Sequence, residues 1–365
     1  MIKPILTSEE KGFISNKKEL WFNYDELTNF FHGITPIKDN FLIPSSLMKN
    51  ITENRVSILS FQKAIESNSE LFKDKIILDI NNNFGLYSMM SAKMGAKKVY
   101  SFQENKIYSK FSELIIKNNN LDKIIIVIND NILNVKNLPE NEKVDVIICE
   151  WYGYFLLNNS LLKNIIYARD NFLKENGTIF PDKAILYLCG MEDNYEKENK
   201  FNFNHWDIDF NCMKKLKYQT PLIEGINNYN ALTSICPIFK IDIYNIKYND
   251  INFSNEYELI VNRDGYFQGY FSFFDIEFTK VKNYIRYNTS PFNLSTKYYQ
   301  CLFYIEKDYY LEKDDVIKGS ICCVNDKKKY DTSTLNIKIS YNIISNNYNE
   351  NENIIKGINL YKLSF

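Results

Sequence analysis

Between residues 75 and 149 short, continuous apolar runs alternate with amphipathic stretches, and this alternation constrains the fold more than any other feature. Apolar residues recur at helical spacing from Ile51 to Glu70 (Val56, Leu59, Ser60, Ala64), and Lys75-Ile-Ile-Leu-Asp-Ile80 follows as a run of strand length. The pattern repeats with a helix over 85–95, a strand at Lys98–Phe102, a helix over 105–118, and strands at Lys123–Ile128 and Val144–Cys149. Strands that alternate with helices at this spacing pair in parallel through crossover connections. The expected fold class is α/β, a doubly wound parallel sheet over residues 51–181.

After Pro181 the texture changes to short alternating segments separated by Asn, Asp and Lys turns: 184–188, 239–246, 257–261, 269–278, 301–305 and 335–341. This pattern predicts an all-β domain over residues 182–365. Residues 193–235, around His205, Trp206 and Cys212, read as a projecting arm within it. Residues 1–50 are polar and aromatic without strong periodicity, and read as a loosely ordered arm plus helix.

Composition removes several functions. The 44 Lys and Arg balance 45 Asp and Glu, so no bulk positive charge attracts nucleic acid or an acidic membrane. No apolar run approaches the roughly 18 residues of a membrane span. His32 and His205 are the two histidines, and neither has an evident partner for a zinc site or a catalytic triad. Seven cysteines without a C-x-x-C pair read as reduced thiols, so no metal is expected, and the start lacks a secretory pattern. Cytoplasm or nucleus is the expected location.

An Asp that closes an apolar strand before a turn and a helix marks the place where α/β enzymes seat a nucleotide-like cofactor. Here that segment is Leu78-Asp79-Ile80-Asn81-Asn82-Asn83-Phe84-Gly85. A second strand ends about 20 residues on at Ser101-Phe102-Gln103, where an acidic ribose-binding residue is expected. A further strand ends in Cys149-Glu150-Trp151-Tyr152-Gly153-Tyr154.

With these segments in place, the chain from about Arg55 to Tyr341 resembles the protein arginine methyltransferase family. Matching stretches include Phe61-Gln-Lys-Ala-Ile65, Leu71 to Asp79, Gly95-Ala-Lys-Lys-Val99, Val144 to Tyr154, Tyr167-Ala-Arg-Asp170, Gly177 to Asp182, Phe274 to Thr279 and Tyr299 to Tyr304. The resemblance implies an S-adenosylmethionine (SAM) domain, then a β-barrel with an inserted helical dimerisation arm, and assembly as a homodimer or as a heterodimer with an active relative.

The resemblance also implies four site requirements. The Arg that holds the SAM carboxylate falls on Ser57, and Arg55 lies about 200° around the helix. Two glycines of the cofactor turn fall on Asn81 and Asn83, while Asp79 and Gly85 are kept. The ribose carboxylate falls on Gln103, which has one acceptor oxygen and no charge, and the acid near the adenine falls on Leu133, with Asp130 nearby. Of the two glutamates that clamp the substrate guanidinium, the first is Glu150 and the second falls on Asn159. The family's Thr-His-Trp loop reads Thr296-Lys297-Tyr298, and Lys297 is expected to dock within about 6 Å of Glu150, its ammonium standing in for the guanidinium.

Losing three charged contacts at roughly 1.5 kcal/mol each would weaken SAM about a thousandfold. The expected function is therefore that of a divergent family member, catalytically inactive or very weak, acting as partner or regulator. The alternative is an active enzyme on arginine-containing proteins, its site rebuilt around Arg55, Asp79, Asp130, Glu150 and Asn159. The third reading is a peptide-binding module without chemistry.

Overall fold

The structure, a computed structural model, describes residues 54–80, 83–202, 204–205, 208–325, 334–344 and 355–364. The expected N-terminal arm, His32, Asn81 and Trp206 lie outside the described residues.

The apolar runs become strands β1 (Ile76–Asp79), β2 (Lys98–Phe102), β3 (Ile125–Ile128), β4 (Val144–Ile148) and β5 (Leu173–Phe180). They form one parallel sheet in the order β3-β2-β1-β4-β5, and its central strands are apolar because helices cover both faces. Asp79 pairs with Ser101 on one side and Ile148 on the other. This register brings the ends of β1, β2 and β4 to the same edge, so the turn after β1, Gln103 and Glu150 converge there.

Helix α1 (Arg55–Glu66) buries Ser57, Phe61, Ala64 and Ile65, a stripe at helical spacing. Phe61 stacks on Tyr87 of α2 (Leu86–Lys93), with centroids 4.4 Å apart, and meets Phe278 edge-on at 5.1 Å. Helices α3 (Lys106–Asn118) and α4 (Leu162–Phe172) complete the layer. Asn105 caps α3, accepting from the backbone N–H groups of Ile107 and Tyr108.

Beyond Pro181 the chain forms β6 (Lys183–Met191), β7 (Asn204–His205), β8 (Ile208–Asp209), β9 (Leu222–Glu224), β10 (Ala231–Asp242), β11 (Phe253–Ile260), β12 (Gly265–Phe278), β13 (Ile285–Asn288), β14 (Gln300–Leu311), β15 (Val316–Asn325), β16 (Thr334–Ile344) and β17 (Ile355–Ser364). The expected barrel consists of two antiparallel sheets, β10-β6-β12-β14-β9 with β13 beside β12, and β11-β15-β16-β17. Aromatic residues lock their inner faces: the Tyr257 and Tyr270 hydroxyls lie 2.7 Å apart, and the Phe303 and Tyr361 rings meet at 5.1 Å. Buried Asp182 ties the start of this domain to the end of β12, accepting from the Thr279 backbone N–H and hydroxyl.

The arm holds α5 (Asn194–Lys200) and α6 (Lys214–Tyr218). Lys197, 5% exposed, donates to the Ile305 carbonyl at 2.8 Å and pairs with Asp308. Burial pulls its ammonium pKa below the ordinary lysine range, against the pull of Asp308. Further out, Ile208, Phe210, Met213 and Leu216 are exposed.

Several expected bounds change. The arm ends before residue 235, because Ala231 already pairs with Met191 as β10 begins. That strand stops at Asp242 and does not run to Ile246: the Asp242 carboxylate accepts from the Tyr244 N–H, and its carbonyl accepts from those of Asn245 and Ile246. Strands β15 and β17 carry no clear alternation because Gly319 and Gly357 hold inward positions. A Cβ at Gly319 would lie 1.9 Å from the Ser340 carbonyl oxygen, and one at Gly357 would lie 2.2 Å from the Tyr341 ring.

Phe61 touches both domains, so Phe61→Ala is expected to cost about 3–5 kcal/mol in urea unfolding, whereas exposed Arg55→Ala should stay within about 0.5 kcal/mol.

Candidate active site

Glu150 leaves β4 at the sheet edge and is only 7% exposed. An uncompensated carboxylate there would be costly, and the chain surrounds it with donors. Asn54, just ahead of α1, donates Nδ2 to Oε1 at 2.8 Å, and Ser57 donates Oγ at 3.2 Å. Asn83, from the turn after β1, donates Nδ2 to Oε2 at 3.3 Å. Lys297 places Nζ 3.4 Å from Oε1 and 4.9 Å from the centroid of the Tyr298 ring, and the Tyr298 hydroxyl bonds the same carboxylate. Burial pushes the Glu150 carboxyl up, but the Lys297 ammonium, followed by the donors from Asn54, Asn83 and Tyr298, outweighs it and holds the group below the usual glutamate value.

Two further phenols form an outer layer. The Ser57 and Tyr152 hydroxyls lie 3.2 Å apart, Tyr287 donates to Ser57 at 3.1 Å, and Tyr152 and Tyr287 bond each other. Burial raises both phenols well above the ordinary tyrosine value, the nearby Tyr287 adding to it at Tyr152 and Glu150 at Tyr287, so both remain protonated donors at neutral pH.

At the end of β1, buried Asp79 accepts from Ser88 of α2 at 2.6 Å, which ties the turn to the helix it precedes. Phe84 and Gly85 both take left-handed backbone angles, φ 54° and 73°. Glycine suits the second position, since a Cβ there would lie 3.1 Å from Ile116 Cδ1. Phe84 is buried with its ring centroid 5.0 Å from that of Tyr108.

Gln103 continues the β2 ladder by donating its backbone N–H to the Ile128 carbonyl at 2.9 Å. Its side chain is 1% exposed, and among the described residues neither Oε1 nor Nε2 has a hydrogen-bond partner. Leu133 is half-buried beside the core. Asp130 is exposed and turned to its own loop, accepting from the Asn131 N–H at 2.7 Å and from Asn134 at 2.9 Å.

The structure therefore gathers Ser57, Asn83, Glu150 and Lys297 into one network, with Asp79, Gly85 and Gln103 at the same sheet edge. Arg55 is exposed on the far side of α1. Asn159, expected as the second clamp, is also exposed, with φ 53°. The cause is a tight hairpin: Gly153 N–H donates to the Leu156 carbonyl at 2.9 Å, Asn158 N–H donates to that of Tyr154 at 2.8 Å, and Phe155 and Leu156 are both left-handed. This turn buries Asn158 in place of Asn159. Asn54, Tyr152 and Tyr287 were not anticipated. Tyr152 sits in the matched Glu150 string, but nothing in the local sequence marks Asn54 or Tyr287.

A parallel sheet in this order, an acid-bearing hairpin after its fourth strand, and a following antiparallel domain define a methyltransferase fold with an appended β domain. Residues 182–346 match the model of the arginine methyltransferase oligomerization subdomain. Protein arginine N-methyltransferase 1 of Caenorhabditis elegans is 34% identical over 298 residues, 80% of this chain and 85% of that relative. Its Saccharomyces cerevisiae namesake is 35% identical over 318 residues, 86% and 90% of the two chains. The Trypanosoma brucei PRMT1 enzyme–prozyme heterotetrameric complex with AdoHcy superposes with TM-score 0.79 at 27% identity, covering 87% of this chain and 98% of that one. Arabidopsis thaliana protein arginine methyltransferase 10, at 24% identity and TM-score 0.77, has the same fold. The chain belongs to the protein arginine N-methyltransferase family.

The Lys297–Glu150 pair sets a pH dependence. Glu150 has a depressed folded-state pKa, so its contribution is present above the unfolded value of about 4.3 and lost as pH falls through the folded value. Removing the ammonium takes away the strongest influence that holds the carboxyl down. Lys297→Met is expected to cost about 1–3 kcal/mol at pH 7, with the gap to the unsubstituted chain narrowing as pH falls and Glu150 protonates. Thermal unfolding across pH 3–8 reads both.

Proposed function

We propose that this chain is a non-catalytic member of its family that acts by associating with another subunit, either a second copy or an active relative. One observation carries this reading: the carboxylate that would orient a substrate guanidinium is already bonded by Lys297 together with Asn54, Ser57 and Asn83. An incoming arginine would have to displace an ammonium and four neutral donors, Tyr298 being the fourth, before its rigid fork of N–H groups met Glu150.

The residues present do not fit the amino-acid end of SAM. Ser57, at the expected cation position, is neutral and committed to Glu150, Tyr152 and Tyr287. Asn83, at an expected glycine position, spans from the cofactor turn to Glu150, where donor and acceptor would have to meet.

Association is supported by the oligomerization subdomain match, by the heterotetrameric assembly of the trypanosome relative, and by the apolar residues exposed on the arm. The double substitution Met213→Glu, Leu216→Glu is expected to reduce assembly, read as a smaller mass in light scattering with unchanged melting temperature.

Incubation with labelled SAM and a Gly/Arg-rich peptide, alongside calorimetric titration of SAM, tests the loss of catalysis. No transfer and no binding at submillimolar SAM is expected. A micromolar dissociation constant would overturn the loss of SAM binding, and transfer abolished by Glu150→Gln would establish instead an active arginine methyltransferase with a rebuilt site.

A further inference from the structure

Strand β17 ends the second antiparallel sheet: it pairs with β16 on one side, and among the described residues no strand borders the other. At that outer edge Lys362 donates its backbone N–H to the Gln219 carbonyl at 2.8 Å. In an antiparallel strand the N–H and C=O of one residue point to the same side, and the side alternates along the chain. The backbone groups of Lys356, Ile358 and Leu360 therefore face the same open edge as those of Lys362. An edge of this kind is a template for a further strand.

The side chains along it carry a definite pattern. Ile358 and Leu360, 63% and 60% exposed, lie between the exposed Lys356 and Lys362, and alternation puts all four on the outer face. That face is basic throughout: β15, β16 and β17 contain Lys318, Lys338, Lys356 and Lys362 and no Asp or Glu. Lys318 pairs with Glu258 of β11, whereas among the described residues Lys338, Lys356 and Lys362 form no ion pair. Over the Lys362 end opens a largely apolar cavity of about 530 Å³, bounded in part by Gln219, Val324, Lys338, Leu360 and Lys362.

A second copy of the chain is a poor occupant of this edge. The antiparallel register that sets Ile358 against Leu360 of a second copy also sets Lys356 against Lys362, and like charges directly opposite each other are destabilising. Strand β17 also follows the residues, 182–346, that match the oligomerization subdomain, so that match does not account for it. Charge complementarity selects an acidic occupant instead.

We propose that the open edge of β17 captures an extended acidic segment of another protein. The segment adds as a strand, sets acidic side chains against Lys356 and Lys362, and covers Ile358 and Leu360 with apolar side chains between them. Backbone pairing holds it, and the spacing of the two lysines chooses it. This surface is separate from the arm and from the Glu150 network, so the proposal goes beyond the function proposed above and does not depend on it.

The test is fluorescence anisotropy of a labelled heptapeptide, Asp-Thr-Val-Thr-Val-Thr-Asp, titrated with the full chain. Saturable binding is expected, about tenfold weaker or more for the double variant Lys356→Glu, Lys362→Glu. That variant is expected to bind the peptide with Lys in place of both Asp. Ile358→Pro removes an N–H that faces the open edge and leaves the ladder to β16 intact, and a similar weakening is expected. No saturable binding, or binding indifferent to the charge reversal or to Ile358→Pro, overturns the proposal. Self-association removed by Ile358→Pro would give the edge to a second copy, and sedimentation with phosphatidylserine vesicles without peptide binding would give the basic face to a membrane; either result overturns it. None of these outcomes bears on SAM binding or methyl transfer, so the non-catalytic reading stands or falls separately.

Discussion

A single buried carboxylate organises this molecule. Glu150 sits at the end of a central strand, and its partners come from separate parts of the chain: Asn54 and Ser57 at the start of α1, Asn83 after β1, and Lys297 with Tyr298 before β14. Desolvating an acid and an ammonium offsets much of their attraction, so the net stability gained is small. Breaking the set is costly because the acid would remain inside. The energetic result is one arrangement of three loops and a helix, with the parallel sheet and the antiparallel domain drawn together at Glu150.

The segments through which the chain resembles its family look different once their contacts are known. Trp151 donates Nε1 to the Pro181 carbonyl at 3.0 Å, Tyr167 donates to that of Val135 at 2.9 Å, and Arg169 donates to that of Ile246 at 2.8 Å. Asp182 receives both groups of Thr279. Each of these bonds couples elements distant in sequence, and none needs a ligand. A chain can keep such segments for the sake of its architecture while Ser57, Asn83, Gln103 and Asn159 stand where cofactor and substrate contacts are expected.

Much of this was legible beforehand because it depends on local pattern. Uninterrupted apolar runs announced β1 to β4, and the docking of Lys297 near Glu150 followed from opposite charges brought to one place by the matched segments. What escaped depends on backbone detail or on distance. The side on which Asn159 falls is decided by left-handed angles at Phe155 and Leu156, which neither residue type advertises. Tyr287 reaches Ser57 from β13, a four-residue strand more than two hundred positions away. In β17 the inward sequence Gly357, Asn359, Tyr361, Leu363 conceals the two-residue period, because the space at Gly357 is already filled by Tyr341.

The root of the arm is fastened by residues made much later than the arm itself. Lys197 needs Ile305 and Asp308, and the Gln219 carbonyl receives the N–H of Lys362. At about 5–20 residues per second, the roughly 140 residues between Gln219 and Lys362 take about 7–30 s to synthesise. During that interval the arm has no fixed root, so nascent chains on one message have little to grip. Any association that uses the arm is thus deferred until the chain is finished, a condition under which products of two different messages can meet as readily as two copies of one.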